Sequence, residues 1–331
     1  MPSIREVATL AQVSPATVSR VINGTAKVDD EKRDRVLKVI EETGFVPNEV
    51  ARSLFKKSAK IIGLILPSIE NPFFTQLAGV IEKVADANGY RLLLCNTAND
   101  FEKEKAALSM LTSMNADGII LTTSNEQIHE FIKDCQIPVI ITDRILDEKA
   151  TADYVHCNHY EGGRMAALHL IECGCKNIVC IKGQQGVSSA RDRYAGYQDV
   201  CKENNLTELT MDCEYDFEAG LKITEELLKK YPQVDGIIAC NDIVAISVYK
   251  ILHKKGIKVP EDIQIVGFDN IDLSWLMTPE LTTIAQPIDE IGKKAAELII
   301  NKDEHIKKKE YVYPAKLIKR ETTKYIEGSD C

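Results

Sequence analysis

From residue 61 onward, short apolar runs alternate with longer amphipathic stretches, and this alternation leaves few architectures open. The runs at 61–66, 92–95, 118–122, 139–142, 178–181, 236–240 and 263–267 are apolar at successive positions. Strands covered on both faces require that pattern. Helix-like stretches lie between them at 74–88, 102–114, 162–173, 190–204, 219–230 and 243–255. Apolar strands separated by helices fold as parallel sheets with helices on both sides. A break near Asn158-His-Tyr-Glu-Gly-Gly163 divides the series in two, so two doubly wound lobes are expected. The last strands and helix, after Gln286, are expected to return to the first lobe.

The N-terminal segment has a different period. Ser3 with Glu6 three residues later is a capping box, and Ile4, Val7, Ala8 and Ala11 are expected to be buried by the helix that follows. Val13 plugs a tight turn, Ser14 caps a second helix, and Pro15 sits where a missing N–H does no harm. Val18, Val21 and Ile22 share one face of that helix. Ala16, Thr17, Ser19, Arg20 and Asn23 occupy the other, and all are small or polar. Such a face on a short helix has the shape of a recognition helix for the DNA major groove. Any small helical hairpin could carry the same pattern. A third helix is expected over 30–43, closed by Gly44, with Val36, Leu37 and Ile40 inward.

With 331 residues the chain exceeds one domain. Its longest apolar runs fall far short of the ~20 residues of a membrane span. Arg5 and Glu6 come early and no apolar leader core follows, so a cytoplasmic location is expected. The ten cysteines are scattered, with no Cys-x-x-Cys pair and no histidine at zinc spacing. Reduced thiols are therefore expected, with no metal or other cofactor. A net charge of −9 argues against a nucleic-acid partner until its distribution is considered. Up to Lys60, 11 Lys and Arg stand against 8 Asp and Glu; beyond it, 30 stand against 42. The acidic surplus belongs to the large module, and Arg5, Arg20, Lys27, Arg33, Arg52, Lys56 and Lys57 remain available for phosphates.

Ligands of doubly wound folds sit at the carboxyl ends of strands, which makes the cleft between the lobes the place to look for chemistry. Asn71, Phe73 and Phe74 follow the first apolar run, and Asp143 with Arg144 follows the fourth. Arg191 and Arg193 open a helix after a glycine-rich loop, and Phe217 precedes another helix. Asn241 ends the run at 236–240, Asp269 follows Phe268, and Gln286 closes 282–285. Sugar rings present C–H faces to aromatics, and carboxylates, amides and guanidinium groups bind neighbouring hydroxyls in pairs. Any one of these residues taken alone is as well explained as a helix cap or a core aromatic. Asn71, which precedes Pro72, is an example.

The order helix-turn-helix, third helix, then Phe45-Val-Pro-Asn-Glu-Val-Ala-Arg-Ser-Leu54 resembles the lactose-repressor family of bacterial transcription regulators. The resemblance implies DNA contacts from Ser14, Pro15, Ala16, Thr17, Ser19, Arg20 and Asn23. It also implies a hinge helix that folds on the operator, carrying Asn48, Ala51, Arg52 and Leu54. Leu54 would wedge into a minor-groove step and kink the duplex. The large module resembles the type I periplasmic sugar-binding fold. Its motifs occur in an order similar to those of the bacterial ribose-binding protein, whose ligand contacts fall on Asn71, Phe73, Phe74, Asp143, Arg144, Arg193, Phe217, Asn241, Asp269 and Gln286. A pocket asparagine after the third strand is replaced here by Thr122 or Thr123, and Thr123 is taken as the contact.

The implied fold class is α/β: an all-α head and a core of two doubly wound parallel-sheet lobes. The implied division is a helix-turn-helix head over 1–46, a hinge helix and linker over 47–59, and a core over 60–323. Within the core, lobe one takes about 60–158 and 288–323, lobe two about 162–285, and 324–331 is a tail. The implied function is a homodimeric repressor on a pseudo-palindromic operator, relieved by a small sugar, D-ribose before others. Two alternatives stand beside it. One is a global catabolite regulator with a phosphocarrier protein as corepressor, a subclass that usually lacks the Asp143–Arg144 pair. The other is a regulator sensing a different pentose, a hexose or a sugar phosphate.

An enzyme is not expected. No Gly-x-x-x-x-Gly-Lys-Ser/Thr loop occurs, and Gly183-Gln-Gln-Gly186 is too short for a dinucleotide fingerprint. His156 and His159 straddle the break between the lobes, where core-satisfied or solvated histidines are commoner than metal ligands or bases.

Overall fold

The computed structural model describes residues 2–24, 27–45, 58–146, 152–301 and 309–324. Two compact units divide the chain, Met1–Ala59 and Lys60–Cys331. In the first, α1 (Ile4–Leu10), α2 (Pro15–Asn23) and α3 (Asp30–Thr43) surround six buried side chains: Val7, Ala8, Ala11, Val18, Val36 and Phe45. The capping box forms as expected: Ser3 N donates to Glu6 Oε2 (2.5 Å) and Glu6 N to Ser3 Oγ (3.3 Å). Ser14 caps α2 by accepting from Thr17 N, and left-handed Gly44 ends α3. Two of the apolar residues expected inside are outside. Leu37 is 47% exposed because it follows Val36 by one residue, about 100° round the helix. Ile4, 37% exposed, stands one turn before Val7, where this small core ends.

The second unit holds two six-stranded sheets. One has the order β11-β5-β4-β3-β1-β2 and is parallel throughout. Its strands are β1 (Ile61–Leu66), β2 (Arg91–Asn96), β3 (Gly118–Leu121), β4 (Val139–Thr142), β5 (Asp153–Cys157) and β11 (Glu310–Tyr313). The other has the order β12-β10-β9-β8-β6-β7, with β12 antiparallel to its neighbour. It comprises β6 (Ile178–Lys182), β7 (Leu209–Asp212), β8 (Gly236–Ile238), β9 (Gln264–Asp269), β10 (Thr282–Ala285) and β12 (Lys316–Ile318).

Helices cover both faces of each sheet, which is why central strands are apolar at every position. On β1, Ile62, Leu64 and Leu66 join the cluster of α4 (Pro72–Ala87) and α12 (Ile288–Ile300). Ile65 faces the other way, toward α5 (Phe101–Ser113) and α6 (Ile128–Asp134). In the second lobe, α7 (His159–Glu172) and α8 (Ser188–Glu203) lie on one face. On the opposite face lie α9 (Phe217–Lys230) and α10 (Asp242–Lys254). A short turn of helix, α11 (Leu273–Leu276), follows β9. Each large aliphatic side chain so buried contributes about 1.5–3 kcal/mol.

The chain passes from the first lobe to the second at Asn158, within the stretch where the break was expected: β5 ends at Cys157 and α7 begins at His159, with Gly162 and Gly163 inside it. A Cβ on Gly163 would overlap the Arg193 carbonyl, and one on Gly196 would overlap that of Tyr160, so α7 and α8 meet backbone to backbone. Residues 316–323 do not belong to lobe one. After β11 the chain crosses a third time, β12 pairs with β10, and Thr322 Oγ1 donates to Ile265 O (2.8 Å). Thr323 is tied to His169 Nε2 at 2.9 Å. These residues close the edge of the second sheet, which would otherwise be open.

Candidate functional site

In the N-terminal unit, α2 presents Pro15, Ala16 and Arg20 as exposed side chains, with Thr17, Ser19 and Asn23 half-buried beside them. Ser14 Oγ and Thr17 Oγ1 lie 2.9 Å apart, and Asn23 Nδ2 donates to Ser19 O (2.7 Å). The expected polar face therefore exists, carried by Val18 on the inner side. Asn48, Ala51, Arg52 and Leu54 lie outside the described residues.

In the large unit, the carboxyl ends of strands from both sheets converge on a cavity of about 370 Å³. Asn71 reaches it after β1 while accepting from Phe73 N (3.0 Å), so it both caps α4 and lines the wall. Phe73 and Phe74, packed edge to face at 5.1 Å, and Phe217 at the start of α9 provide apolar wall. Asp143 and Arg144 follow β4 and are 5% and 6% exposed; Arg144 Nε stands 3.6 Å from Asp143 Oδ2. From the second lobe come Arg193 on α8, Asp269 at the end of β9, and Gln286 after β10. Arg193 Nη1 donates to Cys240 O (2.7 Å), Nη2 lies 3.5 Å from Asp269 Oδ1, and the guanidinium carbon lies 3.6 Å from the centre of the Phe268 ring. Gln286 Nε2 donates to Asp269 Oδ1 (2.8 Å).

Contacts between the lobes help set this geometry. His159, at the start of α7, lies 2.9 Å from Asp143 O through Nε2, and Arg193 Nε donates to its Nδ1 (3.3 Å). Burial holds the imidazole well below its ordinary pKa, and Arg193 adds to the effect. His159 is therefore neutral, and the two bonds assign its proton to Nε2. Ile145 N donates across the lobes to Ser188 Oγ (2.8 Å). His156 is likewise consumed internally, bonded to Cys157 O and to Glu310 Oε1, each at 2.9 Å. Both histidines are thus satisfied within the fold, as expected of a pair in this place.

The charges of the wall are unequal. Asp143, Asp269, Glu70, Glu214 and Asp216 face only Arg144 and Arg193. Burial pushes the Asp269 carboxyl up to about 7, against the opposing pull of Arg193 and Gln286. Three polar atoms in this wall, Asp143 Oδ1, Arg144 Nε and Gln286 Oε1, are buried without a hydrogen-bond partner. Such atoms cost about 1–3 kcal/mol each until something polar meets them.

Two of the expected contacts do not reach the cavity wall. Thr123 is fully buried and donates to Glu104 Oε2 (2.8 Å), behind the wall. Asn241 spends its carboxamide on the N-terminus of α10, accepting from Val244 N (2.9 Å), and on Tyr215 O (3.4 Å). Arg191 closes the preceding loop through the Gln185 and Gly186 carbonyls. Several wall residues went unselected, Asn99 and Tyr215 among them. Asn99, after β2, accepts from Arg144 Nη1 (3.2 Å), and the strand-end rule could have found it. Tyr215 follows β7, an edge strand too polar to stand out in the sequence.

Comparison with known proteins agrees with this architecture. Residues 3–48 match the model of bacterial regulatory proteins of the lacI family. Residues 59–321 match that of periplasmic binding proteins and the sugar-binding domain of the LacI family. The chain is 41% identical to the ribose operon repressor of Halalkalibacterium halodurans, over 100% of this chain and 99% of that one. Its fold is similar to a periplasmic binding protein/LacI transcriptional regulator from Alkaliphilus metalliredigens complexed with D-xylulofuranose, at 37% identity and TM-score 0.73, covering 80% of this chain and 100% of that one. It is also similar to the lac repressor dimer bound to operator, at 25% identity and TM-score 0.87, covering 97% and 99%. Among the described residues no helix is long and apolar enough to cross a membrane. The chain belongs to the lacI family of bacterial regulatory proteins: it is a sugar-responsive, DNA-binding repressor and not an enzyme.

Proposed function

We propose that free D-ribose is the effector, bound in the cleft between the lobes of a cytoplasmic homodimer whose two heads occupy adjacent half-sites. One observation carries the reading: Asp143, Arg144 and Gln286, each with a buried polar atom that makes no hydrogen bond, line a cavity that also has aromatic walls. A neutral sugar offers hydroxyls that both donate and accept, and C–H faces for Phe73, Phe74 and Phe217. A phosphate dianion is disfavoured, because five carboxyl groups in the wall outnumber two guanidinium groups. Similarity to a ribose operon repressor along the whole chain supports the choice of pentose. A ketopentose is the second reading, favoured by the relative that holds D-xylulofuranose.

In this reading, the head is residues 1–46, and 47–59 fold as a hinge helix on the operator. Sugar closes the cleft, the lobes turn, and the two hinges part, which withdraws the Leu54 wedge. The effector must prefer the state that holds DNA poorly. Calorimetry with D-ribose, D-xylulose, a hexose, ribose 5-phosphate and a phosphocarrier protein tests the reading. Heat with D-ribose is expected. No heat with ribose, alongside clear binding of a hexose or the phosphocarrier, would overturn it.

A further inference from the structure

The chain leaves β2 through two consecutive residues in the left-handed region, Ala98 at φ 53° and Asn99 at φ 57°. Neither is glycine, and such strain persists only where the surroundings hold it. Before the pair, Thr97 Oγ1 donates to Leu66 O (3.1 Å); after it, Asp100 caps α5 by accepting from Lys103 N (2.9 Å). From the side, Asn125 Nδ2 donates to Asn99 O (3.3 Å) and to Glu104 Oε2 (2.9 Å). Glu104 is fully buried on α5. A carboxyl group there costs more than an apolar side chain would, so packing alone does not account for it. What the construction delivers is the Asn99 carboxamide. Asn99 lines the cavity of about 370 Å³, and its Oδ1 accepts from Arg144 Nη1 (3.2 Å). That bond ties the end of edge strand β2 to the end of β4, across the two strands between them.

We propose that Asn99 is a positioning residue for the effector: its carboxamide oxygen fixes the plane of the Arg144 guanidinium in the cavity wall, and Asn125 with Glu104 holds Asn99 in the strained conformation this requires. The proposal rests on reading the cleft as a sugar site. A guanidinium presents its donors in a rigid fork, so the plane in which it is held decides which hydroxyls it can meet. Arg144 Nε has no hydrogen-bond partner of its own. Without Asn99 the fork is free to turn toward Asp143, whose Oδ2 lies 3.6 Å from Nε.

Asn99→Gly tests this, because glycine adopts a left-handed φ freely and removes only the carboxamide. Calorimetry is expected to show D-ribose bound about tenfold more weakly, with the sugar-free variant melting close to the parent. Asn99→Asp keeps an oxygen for Arg144 and tolerates the same backbone, so it is expected to recover most of the loss. In an Arg144→Lys background, which lacks the fork, adding Asn99→Gly is expected to change Kd by less than about twofold. If the parent binds ribose and Asn99→Gly binds it within about twofold, the assignment is overturned. Equal losses from Asn99→Gly in both backgrounds would also overturn it, as would an aspartate variant no better than the glycine one. A glycine variant melting several degrees lower would overturn it in favour of a structural role for the loop. A parent that binds no pentose overturns the sugar reading itself, and this proposal with it.

Discussion

Raising the pH from 6 to 8 is expected to tighten sugar binding about tenfold, through Asp269. This carboxyl is 4% exposed, and burial pushes it up to about 7 although Arg193 and Gln286 oppose the shift. In the free protein it is then about nine-tenths protonated at pH 6 and about one-tenth at pH 8. A sugar hydroxyl donating to Asp269 favours the carboxylate, so the bound state has the lower pKa. Binding below pH 7 must therefore release a proton, and affinity rises with pH until the free carboxyl is ionised. The ratio of the ionised fractions of the free protein at pH 8 and pH 6 limits the gain to about tenfold, or roughly 1.4 kcal/mol. Calorimetry in two buffers of different ionisation enthalpy is expected to show nearly one proton released at pH 6 and almost none at pH 8. Asp269→Asn should bind more weakly and lose this pH dependence. Equal Kd at both pH values, with no proton exchange in a protein that binds sugar, would refute the reasoning.

The same shift has a consequence for the free fold. A carboxyl with a folded pKa above its unfolded value binds more protons when folded, so its contribution to stability falls as pH rises from about 4 to about 7. Burial raises the pKa of Glu104 and of Asp242 in the same direction. Sugar is therefore expected to raise the melting temperature more at pH 8 than at pH 6.

Three further outcomes are expected. Arg20→Ala should relax base preference at one position per half-site, at about 1–3 kcal/mol if the contact is bidentate to guanine, as read by competition between specific and random DNA. Leu54→Ala should weaken operator binding in a mobility-shift titration while leaving ribose calorimetry nearly unchanged, since the proposed wedge acts only on the operator. Gly163→Ala forces a methyl group against the Arg193 carbonyl. It should lower stability by about 1–3 kcal/mol in denaturant unfolding and displace Arg193 enough to weaken sugar binding.

Central strands were legible because helices on both faces demand apolar residues at every position, as in β1, β3 and β4. The edge strands β7 and β11 were not. β7 reads Leu-Thr-Met-Asp and β11 reads Glu-Tyr-Val-Tyr, with one side open to water. β5 was obscured by Asp153 and His156, which are buried only because Lys309 N and Glu310, more than 150 residues away, satisfy them. The return of β12 to the second sheet depends on a pairing that no local period announces. At the candidate site, the strand-end rule found the carboxylate, guanidinium and aromatic residues. The resemblance to the ribose-binding protein placed Thr123 at the ligand, but its hydroxyl turns to Glu104, a partner that spacing alone does not reveal. Tyr215 escaped because the strand before it was itself invisible.

The central claim is a reciprocal coupling between sugar and operator, and one thermodynamic square measures it. An operator selected from random DNA is titrated with the full-length protein at fixed salt, with and without saturating D-ribose, and ribose is titrated with and without operator. The account predicts that ribose weakens operator binding by some factor well above one, and that operator weakens ribose binding by the same factor. Tight ribose binding that leaves operator affinity unchanged would contradict it.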